Sequence, residues 1–266
     1  MKNKNILSGI TGSSGVLGNI LSNMLRSNGH IVDCYNGDIS NFRDVDKWIG
    51  SKLFTNIFHL AAIVPVNTVE SHPFEALMVN CGGTLNLLNA IRNSNNKPWI
   101  FYASSSHVYK SSKNKLSESS VIDPLNLYAT TKYCGELFCQ YYLQKYMMTV
   151  CIGRIFSFYH ETQKPPYLFP VIKKRLAEED PNNDFFLKGA NNVRDMSNAE
   201  DIVKMIFLLS NNKSQGIFNL GKGSGIKIKD FVQSLSKYSL KIKTDESEEV
   251  SSLIANINKL SKQIYF

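Results

Sequence analysis

Tyr128-Ala129-Thr130-Thr131-Lys132 sets a phenol and an ammonium four positions apart. On a helix such positions share a face, so the two groups become neighbours. A lysine charge beside a phenol favours the phenolate and lowers the tyrosine pKa from about 10. A tyrosine tuned in this way can give or take a proton near neutral pH. A hydroxyl from Ser105 or a neighbour in the run Ser104-Ser105-Ser106 could orient a carbonyl or an alcohol beside it. Taken alone, the tyrosine–lysine spacing is common on amphipathic helices whose polar face meets solvent.

A second stretch with chemical meaning is Thr11-Gly12-Ser13-Ser14-Gly15-Val16-Leu17-Gly18. It follows the short apolar run from Ile6 to Ile10 and precedes a helical pattern, Asn19 to Asn28. A strand, a glycine turn and a helix make a phosphate cradle. The glycines let the backbone turn tightly, and the helix N-terminus offers free N–H groups and positive dipole potential to an anion. The spacing is G-x-x-G-x-x-G rather than the commoner G-x-G-x-x-G, so a ligand-free turn is the competing reading.

Positioning these groups falls to alternating strands and helices. Strands are expected at Ile6–Ile10, Ile31–Tyr35, Asn56–Ala62, Trp99–Ser104 and Met148–Phe156. Helices are expected at Asn19–Asn28, Phe42–Ile49, Pro73–Arg92 and Pro124–Tyr146. A strand that many such folds have between Tyr35 and Asp38 is missing or very short. The rhythm predicts an α/β fold, a doubly wound parallel sheet of Rossmann type with a small C-terminal substrate-binding part. Ligands in such sheets sit beyond the carboxyl ends of the strands, where the glycine loop, Ala61-Ala62 and the serine run converge.

Beyond Phe156 the rhythm weakens. Tyr159 to Pro170 reads as a loop, Val171–Glu179 as a helix, Phe185–Leu187 as a short strand. Asn198–Leu209 reads as a helix, Gly216–Leu220 as a strand and Ile228–Tyr238 as a helix. Asp245 to Glu249 is an acidic solvated run. The expected division is a cofactor-binding domain at 1–160 and a smaller substrate-binding part at 161–266, with 198–220 returning to the first.

The chain has 266 residues, 43% hydrophobic and 20% charged, enough to bury a full core. No apolar stretch approaches the roughly 20 residues of a membrane span, and the basic start Met1–Asn5 leads into a run too short for a signal peptide. Five scattered cysteines, with no C-x-x-C pair, suggest reduced thiols in the cytoplasm and no zinc or other metal site. The net charge of +8 is dispersed, without a basic helix or nucleic-acid motif, so nucleic acid is not an expected partner. A basic balance does suit anionic small molecules such as nucleotides.

Together these elements resemble the extended short-chain dehydrogenase/reductase family, and within it the NAD-dependent epimerase/dehydratase members that modify nucleotide sugars. The resemblance runs from Ile6 to about Leu220. Its elements come in family order: the glycine loop, Asp38-Ile39, His59-Leu60-Ala61-Ala62, Asn80 before Gly83-Thr84, and the serine run before Val108-Tyr109. Then follow Tyr128 with Lys132, Gly153-Arg154-Ile155-Phe156, Arg194-Asp195-Met196 and Phe218-Asn219-Leu220-Gly221.

The resemblance implies roles for these positions. Gly12, Ser14, Gly15, Val16, Leu17 and Gly18 form the cofactor loop. Asn36, Asp38 and Ile39 lie at the adenosine end, Leu60, Ala61 and Ala62 run beside its ribose, and Asn80 completes the cofactor set. Ser105 matches the catalytic serine or threonine, with Ser104 and Ser106 as alternatives. Tyr128 is the acid/base; Lys132 lowers its pKa and holds the nicotinamide ribose. Ser106, His107 and Arg194 fall among the substrate contacts, Arg194 at the sugar-nucleotide diphosphate. The competing reading for Arg194 is an ion pair with Asp195.

Departures from the family pattern shape the expected activity. No carboxylate ends the second strand, where counting lands on Asn36; Asp33 comes too early. That leans the cofactor toward NADP over NAD. Dehydratases carry an acidic pair after the catalytic hydroxyl, and here the residues are Ser106-His107, which argues against 4,6-dehydration. The leading expectation is NAD(P)H-dependent reduction of a 4-keto-6-deoxy sugar nucleotide, with Tyr128 as proton donor. The alternatives are a nucleotide-sugar 4-epimerase with tightly held NAD and a catalytically inactive dinucleotide-binding protein. The resemblance also implies a homodimer, paired through Pro73–Arg92 and Pro124–Tyr146. Lys173-Lys174-Arg175 reads as a solvated helix face, and Cys134 and Cys139 as packed on the Tyr128 helix.

Overall fold

The computed structural model describes residues 6–245, 247 and 249–264. The basic start, Met1–Asn5, and two residues of the acidic run, Glu246 and Glu248, lie outside the described residues. The first half alternates as its sequence pattern dictates. β1 (Leu7–Thr11) leads through the glycine loop into α1 (Val16–Ser27), and Gly29, at φ +81°, turns the chain into β2 (Ile31–Tyr35). Asn41 caps α2 (Phe42–Gly50) by accepting the Arg43 N–H, and β3 (Asn56–His59) follows.

The next helical region differs from the single helix Pro73–Arg92. It comprises α3 (Val66–Ser71), α4 (Pro73–Leu77), a π-helical turn (Met78–Gly82) and α5 (Gly83–Asn93). The backbone stays helical through the π turn, so α4 and α5 are one rod with a widened turn in the middle. β4 (Trp99–Ser105), α6 (Leu127–Tyr146) and β5 (Val150–Ile155) complete the alternation. α6 starts three residues after Pro124 because Asn126 caps it, accepting the Ala129 N–H.

In the second half come β6 (Phe158–Tyr159), α7 (Leu168–Glu178), β7 (Asp184–Phe186), β8 (Val193–Asp195) and β9 (Ser197–Asn198). Pro170, read as loop, sits in the first turn of α7, where a missing N–H costs no helical bond. α8 (Ala199–Asn211), β10 (Gly216–Leu220), β11 (Gly225–Lys227), α9 (Ile228–Leu235), β12 (Lys241–Lys243), β13 (Ser252–Leu253) and α10 (Asn258–Gln263) finish the chain.

Six parallel strands form the main sheet in the order β10-β5-β4-β3-β1-β2. No strand lies beyond β2 among the described residues, as the short stretch before Asp38 led one to expect. Residues alternate across the sheet. Ile10, Phe58 and Phe101 bury one face against α1 and α8. Ile57, Ile100 and Ile152 bury the other face with residues of α2, α5 and α6. Smaller sheets, β11-β8-β13 and β12-β7, are built from the second half. The doubly wound architecture brings the ends of β1, β3, β4 and β5 to one edge, where the chemistry-bearing residues stand.

Candidate active site

The glycine loop is shaped by close approach. Gly12 has φ +74°, and a Cβ there would lie 2.6 Å from the Ala61 backbone nitrogen. A Cβ on Gly18 would lie 2.1 Å from the Gly12 carbonyl oxygen. Only hydrogen fits at either place, so the loop folds onto the first turn of α1 and touches the end of β3. Gly15 is the N-cap of α1, with no side chain covering the free amides of the first turn. A cleft of about 390 Å³ opens here, lined by Gly12, Ser14, Asn36, Asp38, Ile39 and Ala61 among others.

The cleft walls are pinned by a buried relay. His59 Nδ1 meets Thr11 Oγ1 at 2.7 Å, and its Nε2 meets Thr84 Oγ1 at 3.0 Å. The Thr84 hydroxyl donates to the Asn80 carbonyl at 2.6 Å, so Nε2 carries the proton and Nδ1 accepts from Thr11. Asn80 itself is 1% exposed and fully engaged. Its oxygen accepts the Ile63 N–H, and its amide donates to Ile63 O and Thr131 Oγ1. That fastens the stretch after β3 to α6, so Asn80 shapes the wall and its amide has no hydrogen to spare for a ligand.

Asp38 is exposed at the cleft; one carboxylate oxygen accepts from the Ser40 N–H and hydroxyl. Asn36 is exposed beside it. Asp33 turns away, accepting from Trp48 Nε1 at 2.9 Å and pairing with Lys52. Among the lining residues of this cleft there is no lysine or arginine.

At the end of β4 the three serines separate by partner. Ser104 donates to Glu136 Oε1 at 2.5 Å and is 3% exposed. Ser106 is buried. Ser105 accepts the His107 N–H at 3.2 Å, and its hydroxyl is close enough to the Tyr128 phenol to favour the phenolate. Ser105 is thus the serine that the fold presents to Tyr128. Lys132 is 3% exposed, one helical turn further along α6.

The expected lowering of the Tyr128 pKa by Lys132 is not found; the pKa is raised. Burial pushes the phenol up and the nearby Ser105 hydroxyl only partly offsets it, with Tyr167 close enough to oppose ionisation too. Lys132 instead lies over the Tyr102 ring, 4.4 Å from its centroid, and burial brings its own pKa down to about 8. Desolvation is the largest cause of both shifts.

His107 stands edge-on to Tyr128, ring centroids 6.5 Å apart. Its Nδ1 is buried with no hydrogen-bond partner among the described residues. Burial, then the Arg194 charge, lowers its pKa to about 4, so the imidazole is neutral at pH 7. Arg194, on β8, donates to Val193 O, Ser251 O and Ser251 Oγ. The alternative ion pair with Asp195 is absent: Asp195 accepts the N–H groups of Lys222, Gly223 and Ala255.

Sequence reasoning missed Glu136, Tyr102, Tyr167 and Ser251. Glu136 carried a signal, because Tyr128, Lys132 and Glu136 form one i, i+4, i+8 stripe. Tyr102 and Ser251 carried none, since their contacts cross the fold. Lys173, Lys174 and Arg175 pair at the surface with Glu161, Glu178 and Glu179, a solvated face as expected.

A doubly wound parallel sheet with this loop and cleft defines a Rossmann-type protein of the extended short-chain dehydrogenase/reductase class. The chain belongs to the family described as GDP-mannose 4,6 dehydratase, whose profile matches residues 11–264, within the NAD-dependent epimerase/dehydratase group. It is 31% identical over 239 residues to UDP-glucuronate 4-epimerase 1 of Arabidopsis thaliana, covering 83% of this chain and 54% of the relative. It is 29% identical over 262 residues to UDP-glucose 4-epimerase of Mycoplasma genitalium, covering 88% and 77%. The chain spans about half the length of the plant relatives it matches.

Among solved structures, Thermus thermophilus UDP-glucose 4-epimerase in complex with NAD superposes with a TM-score of 0.83 at 19% identity, over 97% of this chain and 92% of that one. RMD from Pseudomonas aeruginosa, complexed with NADPH, gives 0.86 at 20% identity over 97% and 92%. These likenesses show the fold.

Proposed function

We propose that the chain is a nucleotide-sugar 4-epimerase working with NAD. The observation that carries this reading is Ser105 at the end of β4 beside the Tyr128 phenol, whose ionised form it favours, with buried Lys132 one helical turn away. Reduction of a 4-keto sugar uses the same residues, but the curated relatives described above are named 4-epimerases, and that name supports the epimerase alternative over the reductase one. The residues after Ser105 are a buried serine and a neutral histidine rather than an acidic pair, which weighs against dehydration.

The loop fits a dinucleotide: two glycines admit a close pyrophosphate, and the uncapped first turn of α1 offers amides to it. The lean toward NADP rested on the missing carboxylate at Asn36. Against it stands a cleft with Asp38 on its wall and no cation to receive a 2′-phosphate, which favours NAD. NAD supplies hydride exchange at C4 and, when oxidised, a positive ring charge. Tyr128 would take the C4 hydroxyl proton as hydride leaves C4, and would give it back to the same oxygen once the 4-keto sugar has turned and hydride returns to its opposite face. Ser105 holds the oxygen through the exchange. Lys132 donates to the nicotinamide ribose, Arg194 pairs with the diphosphate, and His107 offers Nδ1 to a sugar hydroxyl. Residues 1–160 with 198–220 serve the cofactor, and the rest of 161–266 serves the sugar nucleotide.

A homodimer accompanies this reading. Phe74, Leu77 and Leu85 on the α4–α5 rod, and Leu137 and Tyr141 on α6, are large apolar side chains left exposed. The five free cysteines suit a reducing compartment such as the cytoplasm. No described helix is long and apolar enough to cross a membrane.

The test is to incubate the purified protein with UDP-glucuronic acid or UDP-glucose and follow the 4-epimer by proton NMR, with dinucleotide released by acid quantified in parallel. The expected result is interconversion with retained NAD. Consumption of NADPH with a 4-keto sugar nucleotide, and no epimer, would restore the reductase. Tyr128→Phe should lower turnover at least about 10²-fold while dinucleotide binding stays within a factor of two; unchanged turnover overturns the mechanism.

A further inference from the structure

We infer that Tyr102 is a positioning residue for Lys132: its ring is the seat on which the buried ammonium is held as a cation at the cleft wall. The inference rests on the reading of Lys132 as the lysine that holds the cofactor.

The starting point is a charge without a counter-charge. Lys132 is buried, and an ammonium loses its hydration in such a place unless something replaces it. Among the described residues its Nζ makes no ion pair. The groups facing it come from four elements. Glu136 and Cys139 lie on α6, Cys81 on the π turn, His59 on β3 and Tyr102 on β4. Burial pushes the Cys81 thiol to about 12 and Cys139 higher still, so neither is a thiolate at neutral pH. His59 is held neutral, near 3. Glu136 is the one anion, and it is already committed. Arg154 grips both its oxygens at 2.7 to 3.2 Å, and Ser104 donates to it as well.

What remains is the ring. The Tyr102 face is 4.4 Å from the ammonium, within the range where the ring's negative face attracts a cation, and more strongly so when both are out of water. The ring is also fixed in place. Its hydroxyl donates to the Lys132 backbone carbonyl at 3.1 Å. The same hydroxyl sits where a Cβ on Gly135 would be only 2.0 Å away. Tyr102 therefore reads α6 through one bond and one glycine gap, and offers its face to the side chain that leaves the helix at Lys132.

The experiment is NADH binding by fluorescence from pH 6 to 10, on the whole chain and on substituted chains. In the parent protein, binding falls as Lys132 loses its proton near its lowered pKa. Tyr102→Phe keeps the ring face and should keep that alkaline midpoint. Replacing residue 102 with mono-, di- and trifluorophenylalanine keeps the shape while draining the ring face of negative potential. The midpoint should then move down stepwise, by about half to one and a half pH units at full fluorination. A midpoint that stays fixed along the series overturns the role of Tyr102. Lys132→Met separates the two readings. If it removes the alkaline limb while fluorination moves nothing, Tyr102 alone falls; if it binds NADH with the parent affinity and pH dependence, the cofactor role of Lys132 falls instead.

Discussion

Neighbouring serines on one strand end have different work because the fold gives them different partners. Ser105 faces Tyr128, whereas Ser104 is spent on Glu136. Ser105→Ala should cut turnover by about 10²-fold or more with little change in melting temperature. Ser104→Ala should do the reverse, costing about 1.5–3 kcal/mol of stability as a charged hydrogen bond is lost. Parallel steady-state kinetics and urea titrations on the two variants check this. His59 sets an acid limit. Its folded pKa is near 3 against about 6.5 unfolded, so the unfolded chain binds the extra proton between those values. Its contribution is complete above pH 6.5 and is lost as pH falls, by about 1.4 kcal/mol per unit, down toward pH 3. Urea midpoints from pH 7 to pH 4 should show that slope, and His59→Asn should flatten it.

At the scale of elements, α6 matters most because it carries Tyr128, Lys132 and Glu136 on one rigid piece. The buried Glu136–Arg154 pair fastens it to β5. Glu136→Leu alone should cost about 3–5 kcal/mol by leaving Arg154 buried and unpaired; adding Arg154→Met should recover most of that. Urea unfolding of the single and double variants measures it. Much of this arrangement was legible in the sequence. The strand alternation, the Gly12 to Gly18 loop and the Tyr128–Lys132 stripe are local patterns, and local patterns survive into the fold. The π turn was not legible, because a periodicity of apolar residues does not register one widened turn inside a rod. Nor was the fate of the Tyr128 pKa. Spacing shows which charge is near, but desolvation depends on what the rest of the chain packs over the group. Arg194 stands out in the sequence as a candidate, yet its anchor Ser251 lies far along the chain in a weakly patterned tail.

For the whole molecule, the exposed apolar side chains of the α4–α5 rod and α6 predict self-association. Phe74→Glu with Leu77→Glu should shift sedimentation from dimer to monomer at micromolar concentration; a parent chain already monomeric there refutes the dimer. The outer position of β2 has a separate consequence. Its far side carries backbone groups with no strand to meet among the described residues, and Ile31 is half exposed. The end of this strand, Tyr35 with Asn36 and Gly37 beyond it, also lines the cleft proposed to hold the dinucleotide. An edge strand opens more readily than the centre of a sheet. In deuterated water, Ile31–Tyr35 should therefore exchange its amides well before β3 or β4, and NAD should slow that exchange more than any other in the sheet.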